Sequence, residues 1–348
     1  MRVFLVLLLL IAAAAAAGIY AARTEPTSSI IDTVLAPTND VMAPAVALPD
    51  GADRYSAATL ASLDLRTCFD ETVAFPDGAE RASLQRDVRT PPPNGAWRFP
   101  DLADYPGLVK LEQLKSELGT QREHCGAARI SEHWFMTASH CILDASVMGA
   151  PVIDLVLITP DVDVNSDRVS PVPVTGALCH HDFGIDRLRF TNDIALLYVA
   201  DTTPFEAVEI VKIERSEMSL RRGDLSELYI AGWGNNGNSR FLQGGPVAPE
   251  RVGSSVLVTA RIDGRGPDVG DSGSPLYTRI DGEPVVMGVL ASVRSDRPVE
   301  QRSAIFVRVK SVRDWLQTAM ALCEQDGAFV CGKEIATTQA PISAAEWI

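Results

Sequence analysis

From about Asp101 onward the chain is a succession of short apolar and β-branched runs separated by polar turns. Examples are ARISEHWFMTASH, VIDLVLITP, NDIALLYVA, ELYIAGWG, SSVLVTARI, PVVMGVLASV and SAIFVRV. Runs of strand length at roughly regular spacing predict a sandwich or barrel rather than a parallel sheet of alternating strands and helices. The weakly patterned residues 201–223 divide these runs into two halves, each long enough for a small barrel. One helical pattern stands out, over residues 311–322, where Val312, Trp315, Leu316 and Ala319 fall on one face. No internal repeat is visible. The expectation is an all-β protein with a helix near its C-terminal end.

The first hundred residues have a different texture. Residues 3–22 are apolar behind a single arginine, Arg2, which reads as a secretory signal peptide or as an uncleaved N-terminal anchor. Residues 23–49 are rich in Ala, Pro, Thr, Ser and Asp with little periodicity, the signature of a linker. Residues 53–75 could form a short amphipathic helix carrying Cys68, and the Pro-rich residues 90–95 make a second break. Residues 23–100 are therefore expected to be a linker and pro-segment or spacer ahead of the strand-rich domain.

Composition narrows the functional classes. The 348 residues are 46% hydrophobic, enough for a sizeable core, and 25 glycines with 22 prolines suit a turn-rich protein of short strands. A net charge of −14 argues against nucleic acid as a partner and against docking on an anionic membrane surface. Membrane association is expected only if the N-terminal segment stays uncleaved. Six cysteines (Cys68, Cys125, Cys141, Cys179, Cys323, Cys331) fit three disulfides in an oxidising, extracytoplasmic compartment, secreted or periplasmic. No C-x-x-C pair exists, and His180 with His181 reads as a solvated loop, so no metal and no cofactor are expected.

Candidate chemistry centres on GDSGSP, residues 270–275, in which Ser272 stands between glycines. A serine nucleophile needs a base, a group to orient that base, and donors for a developing oxyanion. Histidine is the side chain suited to act as base near neutral pH. Of five histidines, four (His124, His133, His180, His181) occupy polar or turn-like places, whereas His140 ends an apolar strand in FMTASHC. A Cys125–Cys141 disulfide would close a loop of about fifteen residues, contribute ~3 kcal/mol in the chain-entropy model, and pin the segment carrying His140. Asp193 opens the hydrophobic run NDIALL, at the edge of a core, as an orienting carboxylate should; taken alone, it reads rather as a turn residue before a strand.

In order, TASHC, then NDIALL with Asp193 fifty-three residues after His140, then GDSGSP with Ser272 seventy-nine residues after Asp193, resemble the chymotrypsin-like, or trypsin-family, serine proteases. The YPGLVKL, CGAARI, AGWG and AIFVRVKSVRDW segments add to the resemblance, which covers about residues 101–322. It implies two packed antiparallel six-stranded β-barrels with a C-terminal helix, the boundary near residues 205–222, and a C-terminal extension over residues 323–348. It implies Ser272 as nucleophile, His140 as general base and acid, Asp193 as orienter, and the backbone N–H groups of Gly270 and Ser272 as the oxyanion hole. The implied partners are a polypeptide substrate and, as a further candidate, a protein inhibitor. The runner-up function is a non-catalytic protease homologue used as a binding or adaptor module.

The sequence also departs from the family. No Ile-Val-like start stands near Asn94, where a zymogen would be cut, so cleavage after Arg89 or Arg98 and the partner of Asp271 are open. In the expected substrate pocket Gly266 falls where trypsins place an aspartate, Asp268 replaces a cysteine, and the wall reads Ala291-Ser292-Val293 facing Ala304. These side chains narrow the pocket and favour a small aliphatic residue before the cleaved bond, while Arg294 and Arg297 keep an acidic preference open. The four remaining cysteines allow three pairings; Cys68–Cys179 with Cys323–Cys331 is the one favoured.

Overall fold

In the computed structural model, residues 65–68, 100–115, 121–144, 150–151, 154–161, 163, 169–186, 189–215, 225, 227–234, 241–294 and 297–331 are described. The leader, the linker and the last seventeen residues, on which several expectations rest, lie outside them. Among the described residues no helix is long and apolar enough to cross a membrane.

The N-terminal half builds one antiparallel sheet from β1 (Leu65–Thr67), β2 (Leu108–Lys115), β3 (Gln121–Arg129), β4 (Trp134–Thr137), β5 (Asp154–Ile158), β6 (Pro171–Pro173), β7 (Gly176–His180) and β8 (Ala195–Tyr198). Its order is β1-β7-β8-β4-β3-β2-β5-β6. β6 and β7 follow one another along the chain but pair with opposite sides of the sheet. Between them Val174 N–H donates to Leu155 O and Thr175 N–H to Tyr198 O, so the bend at these residues draws the two edges together. Counting residues 171–180 as one bent strand, six strands make the first barrel and β1 is an added edge strand.

The C-terminal half comprises β9 (Leu228–Gly232), β10 (Gln243–Val252), β11 (Val256–Ala260), β12 (Pro275–Ile280), β13 (Glu283–Val293) and β14 (Ser303–Arg308). Pairing of β13 with β14 closes the order β13-β12-β9-β10-β11-β14 into a six-stranded barrel. The all-β, two-barrel expectation is met.

Strand interiors fill the cores, and β4 and β8 are buried at every position rather than alternately. One core gathers Trp134, Phe135, Met136, Leu196 and Leu197 with many others; a second gathers Ile230, Leu257, Leu276, Met287 and Phe306. Each such side chain, taken fully out of water, contributes about 1.5–3 kcal/mol. Helix α1 (Val309–Cys323) follows β14 and buries Val312, Trp315, Leu316 and Ala319, the face that the spacing predicts. Where the second barrel meets the chain crossing from the first, Arg308 reaches Glu214 through Nε (3.0 Å) and Nη2 (2.5 Å), both side chains being buried.

Within residues 53–75 the described part is strand, not helix. β1 pairs with β7, Leu65 opposite His180 and Thr67 opposite Leu178, and Cys68 is bonded to Cys179. Three residues carry too little periodicity to specify a helix against an open sheet edge that satisfies their backbone groups. The remaining disulfides join Cys125 to Cys141 and Cys323 to Cys331.

Candidate active site

Strand register brings His140 and Asp193 together. β4 and β8 run antiparallel with Thr137 opposite Ala195, so the residues after Thr137 and those before Ala195 emerge at the same end of the first barrel. There the chain makes one 3-10 turn, Ser139–Cys141, held by Ser139 Oγ–H donating to Ile194 O (2.6 Å) and by the Cys125–Cys141 disulfide.

Asp193 is fully buried. Its Oδ1 accepts the backbone N–H of His140 (2.9 Å) and its Oδ2 lies 2.6 Å from His140 Nδ1. A carboxylate can only accept, so Nδ1 carries the proton and Nε2 is left with its lone pair. The Phe190 ring lies parallel to the imidazole, centroids 4.7 Å apart, and fixes its remaining rotation.

Ser272 comes from the second barrel, on the turn leading into β12. The turn is tied to Leu290 of β13 through Gly273 N–H (2.8 Å) and to β3 through Gly126 N–H, which donates to Ser272 O (2.7 Å). Gly270 and Gly273 have φ of +95° and +79°, a region that disfavours any side chain. A Cβ on Gly273 would fall 2.2 Å from Thr137 Oγ1 and 2.3 Å from Gly126 O. The serine turn is thus packed directly on the end of β4, three residues before His140. Among the described residues no hydrogen bond joins Ser272 Oγ to His140 Nε2, and no group accepts from the N–H of Gly270 or Ser272. In serine hydrolases without substrate such hydrogen bonds are often long.

Asp271, beside the serine, is buried and accepts two backbone N–H groups, Gly234 to Oδ1 (2.7 Å) and Asp268 to Oδ2 (2.9 Å). Burial pushes its carboxyl up to about 7, against the lowering effect of those hydrogen bonds.

The expected pocket residues occupy two places. Val293 and Ala304 are direct partners across β13 and β14, and Ala291 is buried on β13. Gly266 and Asp268 lie on the loop from β11 to Ser272, and there the structure adds residues that the sequence does not announce. Arg261 Nη2 contacts Asp268 Oδ2 at 3.2 Å, and Arg302 Nη1 contacts Asp268 Oδ1 at 3.4 Å. His124 is another addition: its Nε2 lies 2.5 Å from where a Cβ on Gly270 would be. No local pattern marks any of the three.

Two groups of metal-type ligands occur among the described residues. In one, Cys125 and Cys141 are consumed by their disulfide beside His140. In the other, His180 is buried at the end of β7 rather than in the solvated loop expected; its Nδ1 accepts the N–H of Asp182, and His181 Nε2 lies 3.2 Å from the Asp182 carboxylate, so both histidines already have partners.

Two antiparallel barrels, with a carboxylate-oriented imidazole on one and a serine turn of the other packed against it, define the class of two-barrel serine hydrolases. The sequence model of the trypsin family matches residues 112–316, and the chain belongs to that family; it is a serine endopeptidase. Among curated relatives, a collagenase of Hypoderma lineatum is 25% identical over 230 residues, 61% of this chain and 83% of that protein. Chymotrypsin-like elastase family member 1 of Bos taurus is 28% identical over 237 residues, covering 62% of this chain and 85% of the relative. Its Rattus norvegicus counterpart is 26% identical over 235 residues, with 62% and 85% covered.

Proposed function

We propose that the chain hydrolyses peptide bonds through Ser272, His140 and Asp193. The carrying observation is the His140 Nδ1–Asp193 Oδ2 bond at 2.6 Å, formed at the end of the strand on which the Ser272 turn is packed. Ser272 Oγ attacks the carbonyl carbon as its proton passes to His140 Nε2, and Asp193 stabilises the imidazolium that results. The free N–H groups of Gly270 and Ser272 receive the oxyanion. Collapse of the tetrahedral species breaks the C–N bond, with the imidazolium proton going to the leaving amine. Water then adds to the acyl-enzyme by the same route and releases the acid and Ser272.

In this reading residues 1–22 are a signal peptide or anchor, 23–100 a linker and pro-segment, 101–322 the protease domain and 323–348 an extension. The protein acts outside the cytoplasm on polypeptides, with a protein inhibitor as a candidate partner. Gly266, Asp268, Ala291, Val293 and Ala304 line the pocket for the side chain before the cleaved bond. Labelling with a fluorophosphonate, on the full chain with and without limited proteolysis, tests the reading. Stoichiometric labelling lost in Ser272→Ala supports it; a folded chain that never labels at Ser272 overturns it and leaves a binding module.

A further inference from the structure

The wall residues Ala291, Val293 and Ala304 alone favour a small aliphatic side chain, but the charge beside them is a stronger determinant. β11 and β14 are antiparallel neighbours with Ala260 opposite Ser303. Arg261 leaves one strand and Arg302 enters the other at this shared end, so two guanidiniums converge although forty-one residues separate them in sequence. Both reach the same carboxylate, Asp268. Asp268 is itself part of the serine turn, its N–H bonded to Asp271 Oδ2 and its O accepting Asp271 N–H (3.1 Å).

The Arg261 side chain is 3% exposed. Its stem runs across Gly266, where a Cβ would fall 2.5 Å from Arg261 Cγ, which accounts for glycine at that position. Its Nη1 and Nη2 donate to Gly264 O (3.2 Å) and Pro267 O (2.8 Å), while its Nε is buried with no partner. Burial lowers the Arg261 pKa, opposed by Asp268. Arg302, 18% exposed, is the more accessible of the two guanidiniums. Arg261 and Arg302 share Asp268, and Asp271, the other carboxylate acting on Arg261, is pushed up to about 7 by burial, so below that pH two cations face one carboxylate at the serine turn and leave a net positive charge. In a partly desolvated site that charge attracts an anion far more strongly than it would in water.

We propose that Arg261 and Arg302 make this protease select an acidic residue, glutamate or aspartate, immediately before the cleaved bond. The substrate carboxylate takes donors that Asp268 does not occupy, with Arg302 as its first contact and Arg261 fixing the field behind it. Asp268 occupied by both arginines is also unsuited to recruit a lysine or arginine substrate. The inference rests on the protease reading above and names the substrate class of that same site.

The test uses chromogenic peptides identical except for Glu, Gln, Ala or Lys before the scissile bond, on enzyme titrated by fluorophosphonate. Gln is the control for Glu, since it keeps the shape and removes the charge. The expected result is a kcat/KM ratio for Glu over Gln of about tenfold or more, with Ala and Lys poorer than Glu. Arg302→Gln should bring that ratio close to one. Asp268→Asn, which removes the competing anion, should raise it. Enzyme that labels fully but cleaves after Ala, Gln or Lys at least as well as after Glu overturns the inference and leaves the protease reading standing. A Glu preference unchanged in Arg302→Gln overturns the assignment of the arginines. A chain that does not label overturns the underlying reading, and this inference with it.

Discussion

Burial of Asp271 makes a signed prediction about pH. Its carboxyl is moved from an ordinary 3.8 to about 7, chiefly because it lies beneath the serine turn out of reach of water. The folded chain therefore holds this proton more tightly than the unfolded chain does. Between those two pH values the folded state binds the extra proton, so stability falls as pH rises. At ~1.4 kcal/mol per pH unit, a group moved this far contributes about 4 kcal/mol of stability that is present near pH 4 and lost by pH 7 to 8. Other carboxylates of this acidic chain titrate in the lower part of the same window, so the total slope does not isolate the group. The difference between wild type and Asp271→Asn does. Urea unfolding of both at half-unit intervals from pH 4 to pH 8 should show the wild type losing stability relative to the variant, most steeply around pH 5 to 6 and levelling off above pH 7. A difference that is flat, or that grows in favour of the wild type with pH, would refute the reasoning. It would mean that the N–H groups of Gly234 and Asp268 hold the carboxylate ionised against burial. Repeating the series after limited proteolysis asks a second question. An amine released by cleavage and brought to Asp271 would lower its folded pKa and reverse the sign of the slope.

Three other outcomes are expected. Ser272→Ala should lower kcat by ~10⁶-fold with an unchanged far-ultraviolet dichroism spectrum, as removal of an activated serine does in subtilisin; near-wild-type peptidase activity would displace Ser272 as nucleophile. Glu214→Gln should destabilise by about 3–5 kcal/mol in urea unfolding, because it leaves the buried Arg308 guanidinium without its anion. Gly273→Ala should reduce kcat/KM by ~100-fold or more, read on chain that remains folded, since its Cβ cannot coexist with Thr137 Oγ1 and Gly126 O without displacing the serine turn.

What the sequence makes legible, and what it hides, follows from the range of the interactions. The strands of both barrels and the buried face of α1 are written in local periodicity, which packing then reinforces. Ser272, His140 and Asp193 stand out because each sits in a short segment of unusual chemistry and the three come in a specific order. Arg261 and Arg302 do not stand out. Each follows or precedes an ordinary strand, and their meeting depends on which strands of the second barrel become neighbours and in what register. The same holds for His124 against Gly270, and for Leu65–Thr67, whose conformation is set by the free edge of β7 rather than by its own residues.

The division of the site between two barrels has a consequence for how it fails. His140 and Asp193 are fixed to each other within the first barrel, and Asp268, Asp271 and Ser272 within one turn of the second. The proposed triad requires the two sets to be registered, and close backbone contacts join them: Gly126 N–H on Ser272 O, Gly273 against Thr137, and Gly126 against Ser274, whose Oγ lies 2.1 Å from where a Gly126 Cβ would be. In the proposed triad these contacts set the reach from Nε2 to Oγ. The Arg308–Glu214 pair is the converse case, expensive to break and remote from the serine turn in sequence and in its contacts. Small additions at Gly126 or Gly273 should therefore lower activity even in molecules that remain folded, whereas loss of Glu214 should cost stability out of proportion to activity per folded molecule. That opposition separates a site assembled by the joint between barrels from one built within either barrel alone.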